Sequence, residues 1–236
     1  MRAIILAGGK GTRLRPYTYT LPKPLMPIGG EMPILEIILK QLKNHGFREV
    51  TITVNYMAKI IQAFFGDGKE WGLEIDYSLE QKPLGTVGPL TLINNLPETF
   101  LVMNGDLLTD LNYKEFYEWH KEKSNDISVA TFKRMTQNDS GVLYYDNNLN
   151  IYDFKEKPID FHHISMGIYI LNKSVIDPLP KNEKVGFDQL IINAIKNKLR
   201  IMAYPHTSYW LDIGSNSDYE KANEYFIKNR EQILDL

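Results

Sequence analysis

The first residues that could do chemistry form a glycine-rich loop close to the N-terminus. An apolar run, residues 3–7, leads directly into Gly8-Gly9-Lys10-Gly11-Thr12-Arg13. Glycines let backbone N–H groups approach phosphate oxygens closely, and the forked guanidinium of Arg13 suits the same anion. Leu14 takes the place of the third glycine of a dinucleotide fingerprint, and no Gly-Lys-Ser or Gly-Lys-Thr of a Walker loop occurs. The loop therefore predicts a phosphate site of another kind.

Two aspartates later in the chain could hold a metal ion beside such a phosphate. Asp106 follows a predicted buried strand, residues 100–103, and Asp212 follows an apolar stretch and precedes a glycine. Open α/β sheets bind ligands at the C-terminal ends of their strands. Mg²⁺ takes a few carboxylates together with phosphate oxygens and water. Asp106 and Asp212 are therefore the predicted magnesium ligands.

The residues around the loop resemble the signature of the sugar-phosphate nucleotidylyltransferases. The resemblance is carried by residues 6–14 and by the later Pro22-Lys23-Pro24, with Pro16 and Thr18 between them. It extends over most of the chain, to about Glu224, and is greatest to the short guanylyltransferases for mannose 1-phosphate or manno-heptose 1-phosphate. The resemblance implies an enzyme that joins a nucleoside triphosphate and a sugar 1-phosphate into a nucleotide sugar and pyrophosphate.

The resemblance also implies roles for individual residues. Arg13 and Lys23 are expected to be the catalytic cations, and the Asn-Gly-Asp and Leu-Asp-x-Gly aspartates, Asp106 and Asp212, are expected to bind Mg²⁺. Binding of the nucleotide is assigned to Leu6, Ala7, Gly8, Gly9, Gly11, Thr12, Glu80, Gly85, Thr86 and Asn104.

Glu80 bears on the choice of base. An ionised carboxylate only accepts hydrogen bonds, and guanine offers two adjacent donors, N1–H and the 2-amino group. Uracil and thymine offer one donor between two acceptors, which a glutamine satisfies better. The residue type therefore favours GTP. Gln81 as the reader of the base, and a UTP- or dTTP-dependent enzyme acting on glucose or amino-sugar phosphates, stay open.

The sugar phosphate is assigned to three residues in the second half of the chain. Within Asp153-Phe154-Lys155-Glu156-Lys157-Pro158, the resemblance implies that Lys157 neutralises the sugar phosphate and that Glu156 accepts sugar hydroxyls. Gly141 precedes a predicted strand and is expected to give the sugar close access to the backbone. Asp110 is interpreted as a structural cap for a helix that starts near Tyr113.

Apolar periodicity predicts an α/β fold. Alternating strands and helices in the first half indicate a Rossmann-like, mixed but mainly parallel sheet flanked by helices. The resemblance implies that this fold is of the nucleotide-diphospho-sugar transferase type. One domain with two lobes is expected, with a nucleotide-binding half at about 1–112 and a sugar-phosphate half with the C-terminal helix at about 113–236. Strands are predicted at 3–7, 50–54, 73–79, 100–103, 127–133, 142–145, 151–154 and 167–171, and helices at 33–43, 60–65, 85–96, 187–198 and 217–228.

Composition narrows the function further. The net charge is -2, from 27 basic and 29 acidic residues, which argues against nucleic acid as a partner. No cysteine is present, and the short apolar N-terminal run predicts neither a signal peptide nor a membrane span. A cytoplasmic enzyme is therefore expected. The resemblance implies one without the β-helix domain that larger relatives carry, with a homodimer left open. An inactive subunit that only binds nucleotide sugars is the alternative of another class, and the complete set of predicted charged residues favours the enzyme.

Overall fold

The computed structural model describes residues 1–234, which form thirteen strands and six α-helices. The helices are α1 Ile34–Asn44, α2 Ala58–Phe65, α3 Tyr113–Glu122, α4 Phe187–Lys196, α5 Asn216–Lys228 and α6 Arg230–Leu234. The strands are β1 Arg2–Leu6, β2 Pro27–Ile28, β3 Met32–Pro33, β4 Glu49–Val54, β5 Glu74–Leu79, β6 Thr99–Asn104, β7 Leu107–Thr109, β8 Ile127–Gln137, β9 Val142–Tyr145, β10 Ile151–Lys155, β11 Ile159–Asn172, β12 Ile201–His206 and β13 Trp210–Asp212. No helix in this part of the chain is both long enough and apolar enough to span a membrane.

A seven-stranded sheet in the order β12-β8-β11-β6-β1-β4-β5 lies at the centre. Strands β6, β1, β4 and β5 are parallel, and β12 is parallel to β8. Strand β11 is antiparallel to both of its neighbours. The predicted α/β fold with a mixed, mainly parallel sheet is therefore confirmed. The boundary near residue 112 stays a prediction, although strands from both predicted halves join this one sheet.

Strand β1 reads as a continuous apolar run because helices cover both faces of the sheet. Ala3 and Ile5 are fully buried in the cluster that contains the apolar face of α1. Ile4 points to the opposite face and is fully buried with residues of α4. Successive side chains of a strand alternate between faces, so this short strand packs into the cores on both sides of the sheet. Its position, and that of the loop after it, is thereby fixed.

The predicted helix at 85–96 is wrong. Gly85 has a left-handed φ of +80°, and the amides of Val87 and Gly88 donate to the carbonyl oxygen of Val185. These tertiary hydrogen bonds replace the bonds that a helix would make. Only a five-residue 3₁₀ helix, Gly88–Leu92, forms in this segment.

Two further details differ from expectation. Asn112, not Asp110, caps α3, because its side chain accepts hydrogen bonds from the amides of Lys114 and Glu115. Strand β12 was not predicted, because its interrupted apolar pattern contains Pro205. A proline is tolerated there since β12 lies at the edge of the sheet.

Candidate active site

The glycine loop and the Asn104–Asp106 run begin side by side at the C-terminal ends of β1 and β6. Leu6 and Asn104 are register partners in the parallel pair, and the amide of Gly105 donates to the carbonyl oxygen of Leu6 at 2.9 Å. Parallel strands deliver their following loops to the same edge of the sheet. Residues separated by about a hundred positions in the sequence therefore meet here.

The glycine loop folds back towards Lys23. Gly11 has a φ of +61°, and a side chain there would lie 2.9 Å from the Thr18 methyl group and 3.3 Å from Cβ of Lys23. The Thr18 hydroxyl donates to the carbonyl oxygen of Gly11 at 2.7 Å. Lys23 itself is 9% exposed, and its ammonium group forms an ion pair with Oδ2 of Asp106.

Asp212 lies close to Asp106 because strand β13, which contains it, pairs antiparallel with β7. Asp212 is the register partner of Leu107, and the amide of Ile213 donates to the carbonyl oxygen of Asp106 at 3.0 Å. Burial and the negative charge of Asp106 raise the pKa of Asp212, while the charges of Lys23 and Arg13 act in the opposite direction.

Arg13 completes the cluster. Its guanidinium atoms lie 3.1–3.3 Å from the position that a Cβ on Gly214 would take, two residues beyond Asp212. Gly214 therefore leaves room for the guanidinium, which a larger residue would displace. The four predicted charged residues, Arg13, Lys23, Asp106 and Asp212, are brought together by four separate segments of the chain.

The carboxylates suit a hard cation. Oδ1 of Asp106 is a buried atom without a hydrogen-bond partner, which is costly unless a ligand satisfies it. Within residues 1–234 no group of three or more histidine, cysteine or acidic side chains could hold an ion. A cation at Asp106 and Asp212 would therefore take its other ligands from phosphate oxygens and water, as Mg²⁺ prefers.

A cavity of about 490 Å³ opens beside this charged cluster. Asp106 belongs to its wall, and so do seven of the ten residues predicted to bind nucleotide, whereas Ala7, Gly11 and Thr12 do not line it. Of the remaining lining residues, Lys10 belongs to the predicted phosphate loop, whereas Thr53, Asn55, Pro89 and Lys184 stand in no motif that the sequence indicated. The cavity is lined by Leu6, Gly8, Gly9, Lys10, Thr53, Asn55, Glu80, Pro83, Leu84, Gly85, Thr86, Pro89, Asn104, Asp106 and Lys184.

Glu80 is held in this wall by local contacts. Oε2 accepts a hydrogen bond from the amide of Leu84 at 3.2 Å, and Oε1 would lie only 2.7 Å from a Cβ on Gly8. Burial raises the pKa of the Glu80 carboxyl, although the Leu84 amide opposes this effect. Gln81, its neighbour, lines a separate groove together with Arg2. Of the two candidate readers of the base, only Glu80 faces the cavity beside the charged cluster.

Gly85 and Thr86 shape the cavity through the segment before α4. A Cβ on Gly85 would lie 2.5 Å from the carbonyl oxygen of Val185, and the Thr86 hydroxyl accepts a hydrogen bond from the amide of Phe187 at 3.0 Å. This packing brings Lys184 to the cavity wall. Sequence reasoning missed Lys184 because its position follows from tertiary pairing and from no local motif.

The three residues predicted to bind the sugar phosphate lie elsewhere. Gly141 and Glu156 are neighbours, since a Cβ on Gly141 would be 3.1 Å from Oε2 of Glu156. Lys157 is exposed and has a φ of +45°. None of the three lines the 490 Å³ cavity, and their role stays a prediction.

Comparison with known proteins decides the family. The family model described as "Nucleotidyl transferase" matches residues 2–229. The chain belongs to the nucleotidyl transferase family. Its glycine loop, paired aspartates and cavity all lie within the matched region of this nucleotidyl transferase.

Curated relatives carry two kinds of name. The chain is 36% identical to a UTP–glucose-1-phosphate uridylyltransferase of Synechocystis, over 94% of this chain and 62% of the relative. It is 30% identical to a mannose-1-phosphate guanylyltransferase of Mycobacterium tuberculosis, over 96% of this chain and 64% of the relative. The nucleotidyl transferase therefore spans somewhat under two thirds of the length of these relatives.

Solved structures agree on the fold. HddC from Yersinia pseudotuberculosis complexed with GMP-PN superposes with a TM-score of 0.72 at 27% identity, covering 95% of this chain and 99% of that one. A putative glucose-1-phosphate thymidylyltransferase from Bacillus anthracis superposes with a TM-score of 0.77 at 23% identity, covering 95% and 94%.

Proposed function

We propose that this chain transfers a nucleotidyl group from GTP to a mannose-type or manno-heptose-type sugar 1-phosphate, releasing pyrophosphate. The observation that carries the proposal is the convergence of Arg13, Lys23, Asp106 and Asp212 beside a cavity whose wall contains Asp106, Gly8 and Gly9. Two cations beside two carboxylates and a glycine loop suit a triphosphate accompanied by a divalent ion. The names of the guanylyltransferase relatives support the same class of substrate.

The reaction we infer is an in-line attack by a sugar-phosphate oxygen on the α-phosphorus, with pyrophosphate leaving on the opposite side. The nucleophile is already an anion, so no general base is needed. The main obstacle is the approach of two polyanions, and cations lower it by offsetting their repulsion and the charge that grows in the transition state. Arg13 and Lys23 would bind the triphosphate, and Lys157 would bind the sugar phosphate once the substrate bridges the two regions.

Mg²⁺ is the cation that Asp106 and Asp212 fit best, because the buried Oδ1 of Asp106 offers it an unpartnered oxygen. The ion would supply electrostatic stabilisation of the phosphates when bound. The protein's own part is to hold the two carboxylates in one place through the β7–β13 pair. The same pair places Gly214 under the guanidinium of Arg13.

GTP is favoured because Glu80 presents a carboxylate to the cavity. A carboxylate can accept from both N1–H and the 2-amino group of guanine. Lys184, on the same cavity wall, adds a positive charge that would attract an acceptor of either base, such as guanine O6 or uracil O4, so the preference for GTP rests on Glu80. The uridylyltransferase relative at 36% identity keeps UTP with glucose 1-phosphate as the second candidate.

The test is pyrophosphate release from a matrix of nucleoside triphosphates and sugar 1-phosphates in the presence of Mg²⁺. The largest kcat/KM is expected for GTP with mannose 1-phosphate or manno-heptose 1-phosphate. Arg13→Ala and Asp106→Ala should each reduce turnover about a hundredfold or more, the scale for losing one preorganised charged group.

The matched control for these variants is Lys82→Ala, which removes an exposed cation outside the cavity lining. Near-normal turnover in Arg13→Ala or Asp106→Ala would remove that residue from the mechanism. Nucleotide binding without turnover on any pair of substrates would indicate a non-catalytic subunit and overturn the proposed activity. A cytoplasmic location remains an expectation from the sequence.

A further inference from the structure

Three buried side-chain atoms in residues 1–234 have no hydrogen-bond partner: Oγ1 of Thr53, Nε1 of Trp71 and Oδ1 of Asp106. Thr53 and Asp106 both belong to the wall of the 490 Å³ cavity. A buried polar atom without a partner is rare in a folded protein and calls for an explanation. For Asp106 the explanation is the cation that its carboxylate fits. The shared cavity indicates that a ligand also accounts for Thr53.

Thr53 stands on the cavity side of strand β4. It is the register partner of Leu6 in the parallel pair of β1 with β4, and register partners point to the same face of a sheet. Leu6 lines the same cavity. The amide of Glu80 donates to the carbonyl oxygen of Val54 at 2.9 Å, which places Glu80 next to the residue that follows Thr53. The unpartnered hydroxyl therefore belongs to the same part of the wall as the Glu80 carboxylate.

Thr51 shows how the chain satisfies a buried threonine on this face. Thr51 lies two residues before Thr53 on the same face of β4 and is 2% exposed, whereas Thr53 is 0% exposed. Oγ1 of Thr51 accepts hydrogen bonds from Nε and NH2 of Arg2, at 3.1 and 2.7 Å. No residue in the described part of the chain does the same for Thr53.

Guanine offers what the Thr53 hydroxyl lacks. Along one edge, guanine presents N1–H, a 2-amino group with two hydrogens, and the acceptor O6. The carboxylate of Glu80 can accept from N1–H and from one amino hydrogen, so the second amino hydrogen and O6 are left. A threonine hydroxyl both donates and accepts and can pair with either group. Rotation about χ1 moves the hydroxyl between staggered positions, so it can turn towards a base without movement of β4.

We propose that the hydroxyl of Thr53 hydrogen-bonds to the base of the bound nucleotide, beside the carboxylate of Glu80. The inference rests on the proposed function, since it takes the cavity to be the nucleotide site. Without a ligand, the buried hydroxyl destabilises the fold because it has lost water and gained no partner. The base supplies that partner. Thr53 therefore favours binding and opposes folding, a conflict that is typical of functional positions.

Calorimetric titration of the full chain with GTP and with UTP, in the presence of Mg²⁺ and without a sugar phosphate, tests the proposal. Thr53→Val removes the hydroxyl and keeps the branched shape of the side chain. Its affinity for the nucleotide that the wild-type protein binds more tightly, GTP in our proposal, should fall about two- to tenfold, the range for one neutral hydrogen bond. Its melting temperature should rise by about 2–4 °C, because a methyl group replaces an unsatisfied buried hydroxyl.

Thr51→Val is the matched control, since it makes the same change on the same face of the same strand. Thr51 does not line the cavity, so the nucleotide affinity should be that of the wild type. The melting temperature should fall, because Arg2 loses the acceptor of two hydrogen bonds. Thr53→Ser keeps the hydroxyl and loses a buried methyl group, so it should bind like the wild type and melt at a lower temperature. The two substitutions at Thr53 thus move affinity and stability in different directions.

ITP, which lacks the 2-amino group of GTP, identifies the atom that Thr53 contacts. A loss of affinity with GTP alone assigns the hydroxyl to the 2-amino group, and an equal loss with both nucleotides assigns it to O6. Unchanged nucleotide affinity in Thr53→Val overturns the proposal, and so does an equal loss in Thr53→Ser. The proposed function fails separately, by the absence of pyrophosphate release from the wild-type protein, because the titrations require no turnover.

Discussion

Replacing Glu80 by glutamine should change which nucleotide the protein uses without weakening the fold. The glutamine carbonyl can still accept the 3.2 Å hydrogen bond from the amide of Leu84. Its amino group would then take the position of Oε1 beside Gly8 and present a donor to the cavity. Guanine would lose a charged acceptor and face a donor instead, whereas uracil and thymine would gain a compatible partner.

The magnitude follows from the charge on the acceptor. A hydrogen bond to a charged group contributes about 1.5–3 kcal/mol, and each 1.4 kcal/mol is a factor of ten. The value of kcat/KM for GTP should therefore fall between about tenfold and a hundredfold or somewhat more, and the preference for GTP over UTP should fall at least as much. Steady-state pyrophosphate release with GTP, UTP and dTTP measures these ratios.

The same substitution should leave the stability of the fold unchanged or raise it, although it lowers activity with GTP. Burial raises the pKa of Glu80 above its ordinary value of 4.5, so the folded chain holds this proton more tightly than the unfolded chain does. The contribution of Glu80 to stability is fully present below pH 4.5 and is lost as the pH rises through its higher folded pKa. At pH 7 its charge opposes folding, and Glu80→Gln should melt at the same or a higher temperature.

The matched control is Gln81→Ala, because Gln81 lines a different groove. It should leave the ratio of GTP to UTP use unchanged. If Glu80→Gln keeps the kcat/KM for GTP within threefold of wild type, Glu80 does not read the base. A selectivity change in Gln81→Ala would assign that role to its neighbour instead.

Four other substitutions or conditions test the surroundings of the site. Gly88→Ala places a Cβ 2.5 Å from the carbonyl oxygen of Glu183, so nucleotide affinity, measured by calorimetry, should fall together with the melting temperature. Asp110→Ala removes an acceptor shared by His206, Ser208, the amide of Tyr209 and Gln232, and denaturant titration should show a loss of about 3 kcal/mol or more. Lys184→Ala should raise the KM for the nucleotide several-fold and leave the melting temperature unchanged. Burial lowers the pKa of His120 below 6.5. Its contribution to stability is present above pH 6.5 and is lost as the pH falls through the lower folded pKa. His120→Gln should therefore abolish this pH dependence of the melting temperature between pH 5 and 7.

Much of the fold followed from local pattern. Helix α1 and strand β6 lie where apolar periodicity predicts them, within one residue at each end. The hairpin strand β9 has the predicted bounds, residues 142–145. Periodicity was informative in these elements because each one buries a regular face. The helix prediction for residues 85–96 failed because backbone amides of this segment bond to the carbonyl oxygen of Val185. No local pattern indicates that partner.

Some residues of the candidate site could likewise be predicted from sequence motifs, and others could not. Arg13, Lys23 and Asp106 stand in ordered motifs, and the register of β1 with β6 is enough to bring those motifs together. Lys184 and Asn55 line the cavity but belong to no recognisable motif, so only three-dimensional packing reveals them. The separation of Gly141 and Glu156 from the cavity likewise depends on where strands β9 and β10 lie in the fold, which sequence spacing does not determine.

The ion pair between Lys23 and Asp106 explains how two partly buried carboxylates can coexist beside each other. Opposite unit charges about 4 Å apart attract by about 4 kcal/mol at an effective dielectric constant of 20. Burial and the like charge of Asp106 raise the pKa of Asp212. Lys23 and Arg13 offset this repulsion in the ligand-free protein. If another cation shares Asp106, Lys23 loses part of its attraction to that carboxylate, and an incoming triphosphate becomes its stronger partner. The same side chain can therefore stabilise the carboxylate pair before substrates bind and hold phosphate afterwards.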